Sequence, residues 1–223
     1  MTFEVGQQGH VTEHNRLFDR FAFGVGSPEG VVEATRGARY TDTAATLGCY
    51  TWVKSTASGN TGWYPDRGRT AWRDLVRWDS NGYTYNALGN LSASFAPMTG
   101  QPGGIYYRRV DGAVTWWLRG IQANASLSAD SIVDLMQPSV DLPVGLWADD
   151  GTWPIKGRNE TYGLILFKPS GENVKLQLRL DAALSSGAVL FSTDGGIAST
   201  ILSRDDVWPS SLPGDDHEGT PTP

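Results

Sequence analysis

Two histidines and a glutamate lie close together near the start of the chain, in the order His10-Val-Thr-Glu13-His14. This H-x-x-E-H pattern matches the inverted zinc-protease motif, in which two imidazoles four residues apart on a helix bind one metal ion. The match requires His10 to lie inside a helix, but Thr12, the residue best suited to cap that helix, follows it. The remaining histidine, His217, lies near the end of the chain. We therefore interpret the motif as a helix start and expect no metal site.

No other group of side chains has the spacing of a catalytic site. A glycosidase holds two carboxylates across a cleft, whereas Asp149-Asp150, Asp205-Asp206 and Asp215-Asp216 are adjacent pairs. Asp79-Ser-Asn-Gly82 begins like a calcium loop but lacks the later carboxylate ligands, and it reads better as a hairpin turn. Cys49 is the only cysteine and has no basic neighbour, which predicts a small buried residue. We expect neither an enzyme nor a bound cofactor.

The composition favours turn-rich β structure. The 223 residues include 27 glycines, 12 prolines and 9 tryptophans, and 19% are charged. A net charge of -6 without a clustered basic surface argues against a nucleic-acid partner. No apolar run is long enough to span a membrane, and the N-terminus lacks the pattern of a signal peptide. These features predict a mainly β protein that is made in the cytoplasm and is not inserted into a membrane.

The first 24 residues differ from the rest of the chain. Thr12 can cap a short helix that runs to about Ala22. A helix of this length is only marginally stable alone in water, so its apolar face is expected to contact identical copies or a neighbouring protein. The predicted assembly contacts on that face are Leu17, Phe18 and Phe21.

Strand patterns dominate the remainder. Asp111-Gly112 separates Ile105–Val110 from Ala113–Leu118, which predicts a β-hairpin, and the adjacent Trp116 and Trp117 should face opposite sides of its second strand. Apolar residues alternate with polar ones from Val174 to Leu180, which predicts a strand with one buried face. Several such short strands favour a C-terminal antiparallel β-sandwich, interrupted by a short helix at 129–136 that Ser128 caps.

Breaker-rich stretches suggest where the chain divides. Residues 88–104 are rich in glycine, proline and small side chains, which is typical of a connector. The acidic, proline-rich end has no apolar anchor and is expected to be disordered. The predicted organisation is an anchor segment at 1–24, a small β module at 25–66, a hairpin and linker at 67–104, a sandwich head at 105–214 and a tail at 215–223.

Short motifs in a fixed order carry a resemblance to a known family. The small module contains Val25-Gly-Ser-Pro-Glu-Gly-Val31, Tyr40-Thr-Asp42, Trp52-Val-Lys54 and Ser58-Gly-Asn-Thr-Gly-Trp63. This order resembles a β module of tail-fibre and minor tail proteins of bacteriophages, especially those that infect actinobacteria. The opening Gly9-His-Val-Thr-Glu-His-Asn15 is also similar to the start of these chains.

The C-terminal half is similar to the head domain of the same family. The shared order is Arg108-Arg-Val110, Leu142-Pro-Val-Gly145, Gly171 followed by Val174, and Trp208-Pro-Ser-Ser-Leu-Pro-Gly214. The family has an aromatic residue or Arg-Pro directly after L-P-x-G, whereas Leu146–Pro154 intervenes here. The resemblance implies a virion protein of the phage tail, a homotrimer, that contacts other tail proteins and adheres to the host cell surface.

A carbohydrate-binding module outside any virion is the alternative hypothesis. Tryptophan rings stack on the C–H faces of sugars, and nearby carboxylates bind hydroxyl groups. The opposing interpretation is that the tryptophans fill sheet cores or subunit contacts. One glycine-containing loop holds the predicted glycan or receptor contacts, Trp147, Asp149, Asp150 and Trp153.

Overall fold

The computed structural model describes residues 20–45, 47–143, 145–146, 151–156, 161–167, 174–192, 196–197, 201–202 and 208–216. Within these ranges the chain forms strands and contains no helix. The predicted mainly β class is therefore confirmed, whereas the sandwich and the trimer remain predictions.

The described residues form twenty strands. In chain order, the first ten are β1 (Phe21–Gly24), β2 (Arg39–Asp42), β3 (Cys49–Lys54), β4 (Trp63–Gly68), β5 (Arg73–Trp78), β6 (Thr84–Ala87), β7 (Asn90–Leu91), β8 (Phe95–Pro97), β9 (Gly103–Val110) and β10 (Ala113–Arg119). The next ten are β11 (Ile121–Ala123), β12 (Ile132–Asp134), β13 (Met136–Gln137), β14 (Gly151–Lys156), β15 (Thr161–Phe167), β16 (Lys175–Arg179), β17 (Val189–Phe191), β18 (Gly196–Ile197), β19 (Ile201–Leu202) and β20 (Asp215–Asp216).

These strands pair in five sheets. A four-stranded sheet has the order β1-β2-β3-β4, with β1 parallel to β2 and the other neighbours antiparallel. A seven-stranded sheet has the order β18-β10-β9-β5-β20, with β19 also paired to β10 and β6 to β5. The smaller sheets are β17-β11-β8, β12-β16-β15-β14 and β13-β7. We call the β1-β2-β3-β4 sheet with its loops the small module.

The central hairpin of the seven-stranded sheet forms where the sequence predicts it. β9 and β10 pair from Val110 opposite Ala113 to Gly104 opposite Arg119. Asp111 in the turn has a φ of 51°, a left-handed conformation that aspartate adopts more readily than most residues. The Asp-Gly signal between two apolar runs was therefore sufficient to locate both strands.

Trp116 and Trp117 lie on opposite faces of this sheet, and both are buried. The Trp116 ring lies 5.4 Å from that of Tyr107, within a large hydrophobic cluster. On the other face the Trp117 ring lies 5.6 Å from that of Tyr106. The alternation of side chains along a strand explains this arrangement. Both faces of the sheet are therefore covered at its centre.

The alternation along β16 is also confirmed. Leu176 and Leu178 are buried, as are Val174 and Leu180 at either end of the strand. Arg179 is exposed, whereas its neighbours on the buried face pack into the large cluster. Period-2 burial of this kind requires one face of the strand to lie against a core.

Buried side chains form two hydrophobic clusters. The large cluster draws on β5, β9 and β10 together with strands of the smaller sheets. The second cluster belongs to the small module, where Trp208 from the far end of the chain packs among its residues. The indole Nε1–H of Trp208 donates a hydrogen bond to the Leu47 carbonyl at 2.7 Å. The other buried members of this cluster are Ala38, Tyr40, Cys49, Trp52 and Trp63.

The segment that follows Trp208 is bound to the seven-stranded sheet. The Tyr107 hydroxyl donates to the Pro213 carbonyl at 2.8 Å. The Arg73 guanidinium donates to the carbonyls of Pro213 and Gly214. The stretch from Trp208 to Gly214 therefore contacts the small module at one end and the larger sheet at the other.

Both predicted helices differ from the structure where it describes them. Phe21 and Ala22, the predicted end of the N-terminal helix, lie in β1 and pair with β2. Residues 129–136 form β12 and begin β13 instead of a helix. β12 pairs with β16, and pairing to an amphipathic neighbour outweighs the local capping signal of Ser128.

In the segment predicted as hairpin and linker, 67–104, the hairpin is present, with β5 paired to β6. The turn at Asp79 is present, and its carboxylate accepts the backbone N–H groups of Asn81 at 2.8 Å and Tyr83 at 3.1 Å. However, β5 pairs with β9, and Phe95 lies in the large cluster, so the segment shares sheets and core with the C-terminal half. Asp215 and Asp216, predicted to lie in a disordered tail, form β20 against β5.

Cys49 is expected to be unreactive in the folded protein. Burial raises the pKa of its thiol from 9.0 to about 12. At pH 8 the native thiol should react with a disulfide reagent roughly a thousandfold more slowly than in urea, because only the thiolate attacks. Since the folded pKa exceeds the unfolded one, this group stabilises the fold below pH 9 and loses that effect as the pH rises towards 12. Equal rates in both states would contradict the burial.

Candidate functional site

The motif residues of the small module bind its own loops. The Glu29 carboxylate accepts the backbone N–H groups of Gly62 at 3.1 Å and Trp63 at 2.8 Å. The indole of Trp63 in turn donates to the Val32 carbonyl at 2.9 Å. The G-S-P-E-G and G-N-T-G-W motifs are therefore joined by direct hydrogen bonds, although they lie about thirty residues apart in the sequence.

Asp42 and Lys54 have the same structural role elsewhere in the module. Asp42 Oδ1 accepts the backbone N–H groups of Gly26 and Ala44, each at 3.0 Å. Lys54 is 1% exposed, and its ammonium donates to the Thr61 carbonyl. Buried polar groups are stable only when their hydrogen bonds are made, which explains why these residue types stand here. The motif residues are framework, and a binding surface must be sought elsewhere on the module.

The outward side of the β1-β2-β3-β4 sheet is the exposed surface of the small module. The pairing register places Phe21, Arg39, Val53 and Tyr64 side by side across its four strands. Phe23 lies two residues after Phe21 and faces the same way. We call the surface formed by these five residues the module face.

The module face is unusually apolar for a surface. Phe21 is 56% exposed and Phe23 is 75% exposed, while Ala22 between them packs against the small cluster. Val25 continues the alternation and is 75% exposed. Exposed apolar residues that lie singly are ordinary, but a contiguous patch marks a contact surface. The phenylalanines of β1 form the main apolar part of the module face, and Arg39 separates Phe21 from Val53 and Tyr64.

The edge of this sheet adds backbone groups to the patch. β1 pairs with β2 on one side and has no other strand beside it among the described residues. An edge strand offers unpaired N–H and C=O groups to another chain. The exposed Arg39 side chain, which lies beside Phe21, forms an ion pair with Asp66 at 3.3 Å. The module face combines apolar area with an open strand edge.

The structure describes only part of the predicted site residues. Phe21 lies on the module face in a strand rather than on a helix, whereas Leu17 and Phe18 lie outside the described residues. Of the predicted glycan contacts, Trp147, Asp149 and Asp150 lie outside the described residues. The backbone of Trp153 lies in β14, opposite Leu164 of β15.

The alternation Phe21-Ala-Phe23-Gly-Val25 was a signal that could have located β1. Apolar residues at every second position indicate a strand, whereas Phe21 was interpreted at helical spacing together with Leu17 and Phe18. The exposure of these residues could not have been read from the pattern, because either face of an amphipathic strand can be buried.

Metal and membrane chemistry find no support in the described part of the chain. Its cysteine and acidic residues form no group of three or more that could bind a metal ion, and all three histidines lie outside it. No helix long and apolar enough to cross a membrane occurs there either. What the described geometry offers is a contact surface.

Comparison with known proteins returns no similarity: no family model, no curated protein and no solved structure matches the chain.

Proposed function

We propose that the chain is a structural, non-enzymatic component of a phage tail that assembles as a homotrimer and contributes to adhesion to the host cell. The observation that carries assembly is the module face, where exposed phenylalanines lie beside a strand edge that no other strand of the described residues pairs with. The number of subunits and the place in the tail rest on the resemblance of the motif order to tail proteins.

The position of the motif residues supports this proposal. Glu29, Asp42, Lys54 and Trp63 form the internal framework of the small module, so their order describes a folding unit rather than a catalytic site. A unit of this kind can be repeated or combined in an elongated assembly. Burying apolar area at about 25 cal/mol per Å² favours association when the same patch is present on every copy.

Particle composition tests the proposal directly. Phage particles should be purified by density gradient from cells that carry the gene, and their proteins identified by mass spectrometry. Peptides of this chain are expected in the particles, at a copy number per particle that is a multiple of three. Recovery of the chain only in the soluble fraction would contradict the proposal and favour a free binding module.

A further inference from the structure

The outer face of the seven-stranded sheet, opposite the large cluster, carries arginines and aromatic rings. The register places Tyr106 and Arg108 of β9 and Trp117 of β10 on this face. Asp74 of β5 and Trp72, the residue before β5, lie on the same face. We call it the arginine–aromatic face. Its further members are Arg69, Arg77, Thr115 and Arg119.

Aromatic rings form the base of this face. The Trp72 and Trp117 rings lie 6.3 Å apart, and Trp117 packs against Tyr106. Arg108 lies over Trp72 at 4.7 Å, and Arg119 lies over Trp117 at 5.6 Å. Stacking on an indole holds a guanidinium in one plane, so its N–H groups are already oriented before a ligand arrives.

Two positively charged side chains, those of Arg69 and Arg108, lie at one end of the face. Arg69 pairs as an isolated bridge with Val110, which places it on the same face as Arg108. Burial, and then the positive charge of Arg69, lower the pKa of the Arg108 guanidinium. Neither side chain has an acidic partner among the described residues, whereas Asp74, opposite Tyr106, pairs with Arg77 at 3.2 Å. Two cations beside each other favour an anion between them.

Hydrogen-bond donors at this end also lack acceptors. The Nε of Arg108 and the indole Nε1 of Trp72 and Trp117 are buried and find no acceptor among the described residues. Trp116 in the large cluster shares this property, so an indole alone would not mark a site. The combination of these donors with two adjacent guanidiniums distinguishes the outer face.

We propose that Arg69, Arg108 and Trp72 form a binding site for a saccharide that carries carboxylate groups. The guanidiniums bind the carboxylate, and the partly exposed indole of Trp72, on the side that Arg108 does not cover, packs against the C–H face of the sugar ring. A nucleic acid would need a longer basic track than this pair in a chain of net charge -6. Binding here does not depend on assembly through the module face or on membership of a phage particle.

Calorimetric titration of the whole chain with oligogalacturonates tests the site. Binding is expected, and raising the salt concentration should weaken it because the contact is charged. Maltooligosaccharides, which are neutral, should bind at least about tenfold more weakly, since they lack the charge-assisted hydrogen bonds. Equal binding of the two sugars, or no binding of oligogalacturonates, would overturn the proposal.

Variants separate the site from a general charge effect. Arg69→Gln and Arg108→Gln should each weaken oligogalacturonate binding about tenfold, and Trp72→Ala should weaken it by a similar factor. Arg179→Gln removes the same charge from an exposed position on β16 and should leave binding unchanged. Arg69 is exposed, so its variant should fold even if that of Arg108 does not. Unchanged binding by Arg69→Gln would overturn the proposal.

An acidic peptide distinguishes the saccharide from a protein partner. Oligoglutamate carries carboxylates but offers no sugar ring for Trp72 to contact. It should bind more weakly than oligogalacturonate and should not respond to Trp72→Ala. Tighter binding of oligoglutamate than of oligogalacturonate would overturn the saccharide assignment in favour of an acidic protein segment.

Discussion

Replacing Trp208 with alanine is expected to lower the free energy of unfolding by about 3–5 kcal/mol, the usual cost of truncating a large buried aromatic residue. Trp208 is 7% exposed and packs into the cluster of the small module, where it contacts Leu47, 161 residues earlier in the sequence. The substitution removes ring contacts and leaves a cavity in a small core that has few other residues to fill it. It also removes the donor that satisfies the Leu47 carbonyl.

Arg109 makes this loss larger than a cavity alone would. Its guanidinium is buried, lies 4.3 Å from the Trp208 ring, and donates to the carbonyls of Asp111 and Gly145 at 2.7 Å each. Without the ring one face of this cation loses its stacking partner. Removing one partner of a buried charged group leaves the other poorly solvated, which is costly.

Urea unfolding followed by circular dichroism measures the effect. Tyr83→Ala is the matched control, because Tyr83 is an aromatic residue that is 70% exposed, and its replacement should change stability by less than about 0.5 kcal/mol. If Trp208→Ala costs no more than Tyr83→Ala, the C-terminal segment does not support the small module.

Replacing Phe23 with aspartate is expected to dissociate the assembly. Phe23 is 75% exposed within one chain, so the fold of the chain should be unaffected. In an assembly formed through the module face, the new carboxylate would be buried against apolar groups without a partner. Central interface residues of this kind contribute about 2–4 kcal/mol, so the association constant should fall about a hundredfold or more.

Sedimentation velocity across a concentration series measures this change. Phe23→Leu keeps an apolar side chain and should retain most of the association, whereas Tyr83→Asp places the same charge on an exposed residue outside the module face. An unfolding curve for Phe23→Asp that matches the original chain shows that dissociation is not caused by misfolding. Association that survives Phe23→Asp would exclude the module face as the contact.

Local patterns predicted those elements whose partners lie nearby in sequence. The Asp111-Gly112 turn fixed the β9–β10 hairpin, and the alternation from Val174 to Leu180 located β16 and its buried face. In both cases turn chemistry and side-chain period agree with each other. The turn at Asp79 was predictable for the same reason, since its side chain caps its own loop.

Long-range pairing explains the elements that were missed. β12 was assigned as a helix because a capping serine precedes it, but its partner β16 lies more than forty residues further along. β1 pairs in parallel with β2, a geometry that no local turn signal announces. The contact of Trp208 with the small module spans 161 residues to Leu47. Such contacts form between residues far apart in the sequence, so a short stretch of sequence cannot predict them.

The candidate sites also contain residues that local patterns indicate and residues that only long-range strand pairing brings together. Phe21 was predicted as an apolar contact residue, which stays a prediction, and its neighbours on the module face, Val53 and Tyr64, come from strands whose register the sequence did not reveal. The arginine–aromatic face also requires the pairing of β5 with β9, which places Trp72 beside Arg108. A surface that several strands build becomes visible only when their order is known.

Assembly of identical chains is the central claim, and the mass of the whole protein in solution tests it most directly. Sedimentation equilibrium at micromolar concentration should give three times the chain mass of 24.2 kDa, and the value should fall to 24.2 kDa for Phe23→Asp. A single species of 24.2 kDa for the unaltered chain throughout the concentration series would contradict the account.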